Sequence, residues 1–226
     1  MKRSILISLI VILTIFFGIY LSKFFLIKSL DKYYDTRLNP LQEDEVTIDT
    51  TKAYEYVLLG DSHCSLWNLN RPNTLNLGVG GQTSSQIKWR TTLFKPVKAK
   101  YLILSAGTND ARSVATNPDK RSEIVNNCIN NISQIIKEAK PYYQDIYIIN
   151  IPPDFKVSFP FMFINYDETL LAKREINSGI DKLSKEFGVK VVDSNKLLKG
   201  KSGKEYSSDG LHLGYKSYEI LEKYIP

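Results

Sequence analysis

Residues 54–62 read YEYVLLGDS. The run from Tyr54 to Leu59 is short, dense in aromatic and aliphatic side chains, and stopped by Gly60, so it reads as a buried strand. The same punctuation recurs along the chain. Thr74–Leu77 stops at Gly78, Tyr101–Ser105 runs up to Gly107, Ile146–Ile151 meets Pro152-Pro153, and Val189–Val192 ends at Asp193. Between these runs, residues 84–94, 120–139, 167–187 and 215–224 have helical periodicity. Five strands alternating with helices predict right-handed βαβ units and a parallel α/β sheet. Ligand sites in such sheets lie beyond the carboxyl ends of the strands. The residues just after each strand are therefore the ones to examine.

Four blocks stand there: Gly60-Asp61-Ser62-His63, then Asn76–Thr83 (NLGVGGQT), then Gly107-Thr108-Asn109-Asp110, and finally Asp209-Gly210-Leu211-His212 before the last helix. Each alone is weak. The Gly78–Gly81 stretch matches neither G-x-G-x-x-G nor a Walker motif. Together they meet the needs of ester cleavage: a nucleophile, a base, an orienter for the base and donors for the oxyanion. Ser62, at a strand-to-helix turn, exposes its hydroxyl. His212 serves as base, and Asp209, three residues earlier, holds the imidazole. Ser62 and Gly81 offer backbone N–H groups and Asn109 a side-chain N–H. An α/β-hydrolase elbow, G-x-S-x-G, fails because position 64 is Cys.

On these blocks the chain resembles the SGNH (GDSL-type) hydrolases from about Tyr54 to its end, in family order. The resemblance implies a flavodoxin-like three-layer α/β/α sandwich and Ser-His-Asp esterase chemistry without metal or other cofactor. It assigns Ser62 as nucleophile, Gly81 and Asn109 as oxyanion donors, and His212 with Asp209 as the rest of the triad. The Asn76–Gln82 loop is similar to that of platelet-activating-factor acetylhydrolase-type members. Two departures are visible: His63 stands where the family has Leu, and Gly214-Tyr215 follows the last block at once.

Ahead of this domain, Ser4–Ser22 is a run without a charge. At ~1.5 Å per residue it reaches ~28 Å, about the hydrocarbon thickness of a bilayer. It is longer than a signal-peptide apolar region and lacks a small-x-small end. We read residues 1–28 as an uncleaved single-pass anchor, 29–52 as a polar stalk and 53–226 as the hydrolase domain. A short tail before a first anchor places the catalytic domain outside the cytoplasm. The net charge of +6 comes largely from the ends of the anchor: without Lys2, Arg3, Lys23 and Lys28, 26 basic residues face 24 acidic ones. No basic block interleaved with aromatics points to nucleic acid. Cys64 and Cys128 read as buried hydrophobes, and with two His and no CxxC or HExxH no zinc site is expected.

Several other residues have a structural and a functional reading. Asp61, Asp110 and Asp193 read as braces or caps. Trp67, Trp89 and Arg90 read as packing or as substrate contacts. The loop 152–166, PPDFKVSFPFMFINY, lines a pocket, dips into a bilayer or forms a local cluster. Glu43-Asp44-Glu45 reads as a solvated face, and the Asn131 sequon lies in a helix. The expected activity is hydrolysis of a small acyl ester through an acyl-enzyme, first of all O-acetyl groups of an envelope glycan. A lysophospholipase or other lipid esterase, and a non-hydrolytic acyl-transfer or binding component of a glycan-modifying assembly, are the alternatives.

Overall fold

The runs YVLLG and YLILS are buried at every residue, which demands a neighbour on both edges and a cover on both faces. They accordingly pair with each other at the centre of the sheet. The computed structural model describes residues 2–40, 48–49, 51–94, 97, 99–157 and 164–226. Strands β1 (Tyr56–Gly60), β2 (Thr74–Gly78), β3 (Tyr101–Ser105), β4 (Asp145–Ile149) and β5 (Lys190–Val192) form one parallel sheet in the order β2-β1-β3-β4-β5. This is the flavodoxin-like order. The edge strands carry polar residues along their length, Thr74 and Asn76 on β2 and Lys190 on β5, whereas β3 and β4 have them only at an end, Ser105 and Asp145.

Alternate residues serve the two faces. Val57, Leu59, Leu102, Leu104, Ile146 and Ile148 point into one core, shared with Ile132 and Ile136 of α5 (Arg121–Ala139) and Ile176 and Ile180 of α6 (Tyr166–Phe187). Tyr56, Leu58, Tyr101, Ile103, Tyr147 and Ile149 point into the other, under α7 (Ser194–Leu198) and α8 (Tyr215–Glu222). The result is the expected three-layer sandwich. Three further short helices, α2 (Ser62–Ser65), α3 (Ser84–Trp89) and α4 (Thr108–Ser113), start directly beyond β1, β2 and β3.

The first helix, α1 (Lys2–Leu38), is long and apolar enough to cross a membrane by length and composition. Its large side chains from Ile7 to Tyr20 are exposed. The sequence reading ended the anchor at residue 28 and began a stalk. The helix instead runs unbroken to Leu38, because Leu30, Tyr34 and Leu38, four residues apart, share one face that docks on the domain. Tyr34 is buried against Ala115, with Ile164 and Tyr166 beside it. The acidic cluster Glu43–Glu45 lies outside the described residues, as do Phe159, Phe161, Met162 and Phe163 of the aromatic loop.

Packing beside the turn at Ser62 leaves no room for a side chain at Gly78. A Cβ there would stand 2.1 Å from the backbone nitrogen of Ser65. Gly78→Ala should therefore destabilise the fold by about 1–3 kcal/mol, the scale of overpacking, read by denaturant unfolding. A variant as stable as the parent would show that α2 and β2 are not in this close contact.

Candidate active site

Gly60 pairs with Gly78 on one side and Ser105 on the other, so three chains leave the sheet at one level. Ser62 opens α2 one residue past Gly60–Asp61 and is half-buried. Asp61 caps that helix: its carboxylate accepts the His63 N–H at 2.9 Å. Burial pushes the Asp61 carboxyl up to about 7, with the His63 N–H working the other way. This is the bracing role that the sequence suggested.

The loop after β2 is held by a buried guanidinium. Arg90 donates to the Leu77 carbonyl, to the Gly60 carbonyl at 3.1 Å and to the Gln82 side chain. The Gly60 carbonyl also accepts the Val79 N–H at 2.9 Å. Of the two readings for Arg90, the structure places it in packing, tying the ends of β1 and β2 together. Gly81 has φ +77°, a conformation that side chains disfavour.

The loop after β3 turns at Gly107, with φ +107°, into α4. Asn109 is buried, and its side-chain nitrogen donates to the Gln82 carbonyl at 2.9 Å. That amide has a second hydrogen to offer. Asp110 accepts the Ser84 N–H at 2.9 Å and its hydroxyl at 2.6 Å, locking the second and third loops together. Burial raises the Asp110 carboxyl despite these donors.

On the C-terminal loop, His212 Nδ1 lies 2.5 Å from Asp209 Oδ2. Asp209 Oδ1 accepts the N–H groups of Leu211 and His212, at 2.9 and 2.8 Å. Partial burial pushes the Asp209 carboxyl up, but the His212 bond and the two N–H groups outweigh it and hold it at about 2. The loop is tied to the segment after β4 by the Phe155 N–H to the Gly210 carbonyl, 2.9 Å. The His212 ring stands 6.2 Å from that of His63, the residue after Ser62.

His63 is a poor rival as a base. It is buried, and neither ring nitrogen has a hydrogen-bond partner among the described residues. Burial first, then nearby His212 and Lys173, push it down to about 3.

Other side chains resolve as structural. Asp193 caps α7, Trp67 is buried against Tyr218, and Asn131 bonds Ser84 and Ser85 from inside α5. Both cysteines are buried free thiols. Among the described residues, no group of His, Cys, Asp and Glu gathers as a metal ligand set. The sequence reading missed a buried ion pair, Lys173 Nζ to Asp154 Oδ1 at 2.5 Å, joined by the Tyr166 hydroxyl on the same carboxylate. A lysine on the apolar stripe of α6, in step with Thr169, Ala172 and Ile176, was the available signal.

A serine just beyond β1 in a 2-1-3-4-5 parallel sheet, with a bonded Asp–His pair on the last loop, is the layout of a class of acyl-cleaving enzymes. The chain belongs to the GDSL-like Lipase/Acylhydrolase family, whose model matches residues 58–220, and is a serine hydrolase of the esterase and lipase type. No curated protein matches its sequence. Among solved structures it is similar to a GDSL-like lipase from Bacteroides thetaiotaomicron, with 19% identity and TM-score 0.58, covering 86% of this chain and 95% of that one. It is also similar to a lipase/acylhydrolase from Enterococcus faecalis, with 19% identity and TM-score 0.57, covering 76% and 93%. A catalytic mutant of an acetylxylan esterase from Geobacillus stearothermophilus gives 15% identity and TM-score 0.56, covering 76% and 92%. At these identities the likeness is one of fold.

The two histidines should separate cleanly. His212→Ala should lower kcat at least ~10³-fold, the scale of triad removals. His63→Leu should keep activity within ~10-fold and change the pH profile of stability. Between about 3 and 6.5 the unfolded chain holds a proton on His63 that the folded chain refuses, so stability rises with pH across that window. Denaturant unfolding of parent and His63→Leu from pH 3 to 7 should show the variant losing less stability toward acid. An inactive His63→Leu beside an active His212→Ala would reverse the assignment.

Proposed function

We propose that this hydrolase is a membrane-anchored serine esterase that removes a small acyl group, first of all acetyl, from a glycan outside the cytoplasm. The observation that carries the chemistry is the Asp209–His212 pair, bonded at 2.5 Å. In this reading Asp209 fixes the proton on Nδ1 and leaves Nε2 to accept the Ser62 proton. Ser62 Oγ attacks the ester carbonyl. The oxyanion is met by the N–H groups of Ser62 and Gly81 and by the Asn109 amide. His212 then returns the proton to the leaving alcohol, and a water activated by the same ring hydrolyses the acyl-serine.

The length of α1 favours a glycan over a membrane lipid as substrate. The anchor as read ends at residue 28, and Arg37 of the same unbroken helix touches Gly81. Nine residues of helix span ~14 Å. The polar zone of a leaflet is only ~5–8 Å deep, and an average tilt of ~20° shortens the reach little. A phospholipid ester lies at the base of that zone, well below Gly81. A glycan chain extends to this height. The similarity in fold to an acetylxylan esterase agrees with the acyl size and the sugar alcohol.

The full chain in lipid vesicles should release acetate from acetylated xylo-oligosaccharides with kcat/KM at least ~10-fold above fatty-acid release from lysophosphatidylcholine in the same bilayer. The opposite preference would replace the glycan reading with the lipid one. Acetyl groups recovered on an added sugar alcohol instead of as acetate would make the enzyme a transferase.

A further inference from the structure

We infer that the last turns of the first helix belong to the active site, with Arg37 as a positioning residue for both oxyanion donors supplied from outside the nucleophile turn. The inference rests on the reading of Gly81 and Asn109 as those donors.

Arg37 grips the loop after β2 at two points. Its Nε donates to the Gly81 carbonyl at 3.1 Å, and its own carbonyl accepts the Thr83 hydroxyl at 2.5 Å. That carbonyl lies in the final turn of α1, where carbonyls lack a partner within the helix, so Thr83 satisfies it. The residue between the two grips is Gln82. Its carbonyl accepts the Asn109 amide at 2.9 Å. One arginine thus spans the segment that carries one proposed donor and orients the other.

Gly81 needs such a restraint. It has no side chain to pack, and at φ +77° it lies in a region from which glycine moves easily to others. The direction of its N–H depends on how the flanking peptides are held. The Gly81 carbonyl is the handle, and Arg37 holds it. Tyr33 packs over the same glycine: a Cβ on Gly81 would stand 2.8 Å from the Tyr33 hydroxyl and would have to push that ring aside. Tyr33 in turn supports Arg37, whose guanidinium lies 3.7 Å from the centre of its ring.

The rest of the docked segment gives a control. Asp31, on the same helix, accepts the Asn117 amide beyond α4. That bond docks the helix at a point remote from residues 81–83 in the sequence.

The test uses the full chain in detergent and a water-soluble acetyl ester, with kcat and KM measured separately. Arg37→Ala should lower kcat ~10- to 100-fold, the cost of a displacement of about 1 Å at a reacting centre, with KM within ~2-fold because the donors act mainly once charge develops. Arg37→Lys, which still donates to a carbonyl, should recover part of that loss. Asp31→Asn, which weakens docking alone, should leave kcat near the parent value. An Arg37→Ala enzyme with parental kcat overturns the inference, and so does an equal fall in Asp31→Asn, which would make docking alone the cause. Asn109→Ala, run alongside, separates the two layers. If it too leaves kcat unchanged, the oxyanion reading has failed. If it lowers kcat while Arg37→Ala does not, only the role of Arg37 has failed.

Discussion

The level at which β1 leaves the sheet sets the geometry of everything beyond it. Gly60 stands opposite Gly78 and Ser105, so the segments carrying Ser62, Gly81 and Asn109 start side by side. Past that level the ladder ends, and backbone carbonyls need other donors. The buried Arg90 guanidinium supplies them to Leu77 and Gly60. A guanidinium in the core is tolerated only when it is bonded in this way. Asp110 does the matching work between the second and third loops through Ser84. The loops are therefore fixed largely by residues outside the proposed reaction, the preorganisation that electrostatic catalysis requires.

The C-terminal loop is built differently. Asp209 accepts two N–H groups of its own loop and also bonds the imidazole, so one carboxylate shapes the turn and orients the His212 ring. Little chain has to be ordered to bring the two together. The Gly210 contact with Phe155 ties this loop to the β4 segment, and that segment meets the docked helix through Ile164 and Tyr166. A helix long and apolar enough to span a bilayer thus lies against two of the loops that frame the site.

Local pattern was enough to read the sheet. Short apolar runs, four ended by glycine or proline and the fifth by Asp193, mark all five strands to within two residues; the strand ends led to Ser62, Gly81 and Asn109, and the loop before the last helix to Asp209 and His212. The features that escaped depend on partners distant in sequence. Residues 29–38 look polar because Asp31, Lys32, Asp35 and Arg37 alternate with the face carried by Leu30, Tyr34 and Leu38. That face becomes apolar in effect only against Ala115, Ile164 and Tyr166. Arg90 reads like any basic residue at the end of a helix until Gly60, Leu77 and Gln82 surround it. The short helices α2, α4 and α7 have too few residues to show a period, and they exist because a cap or a glycine starts them beside a strand end.

In the proposed reaction Ser62 carries the acyl group, with His212 as its base and Asp209 orienting that base. The most direct measurement is peptide mass spectrometry of the full chain after reaction with a fluorophosphonate. One adduct is expected, on the peptide containing Ser62, lost in Ser62→Ala and strongly slowed in His212→Ala. An adduct on another residue, or labelling that persists in Ser62→Ala, would contradict that assignment.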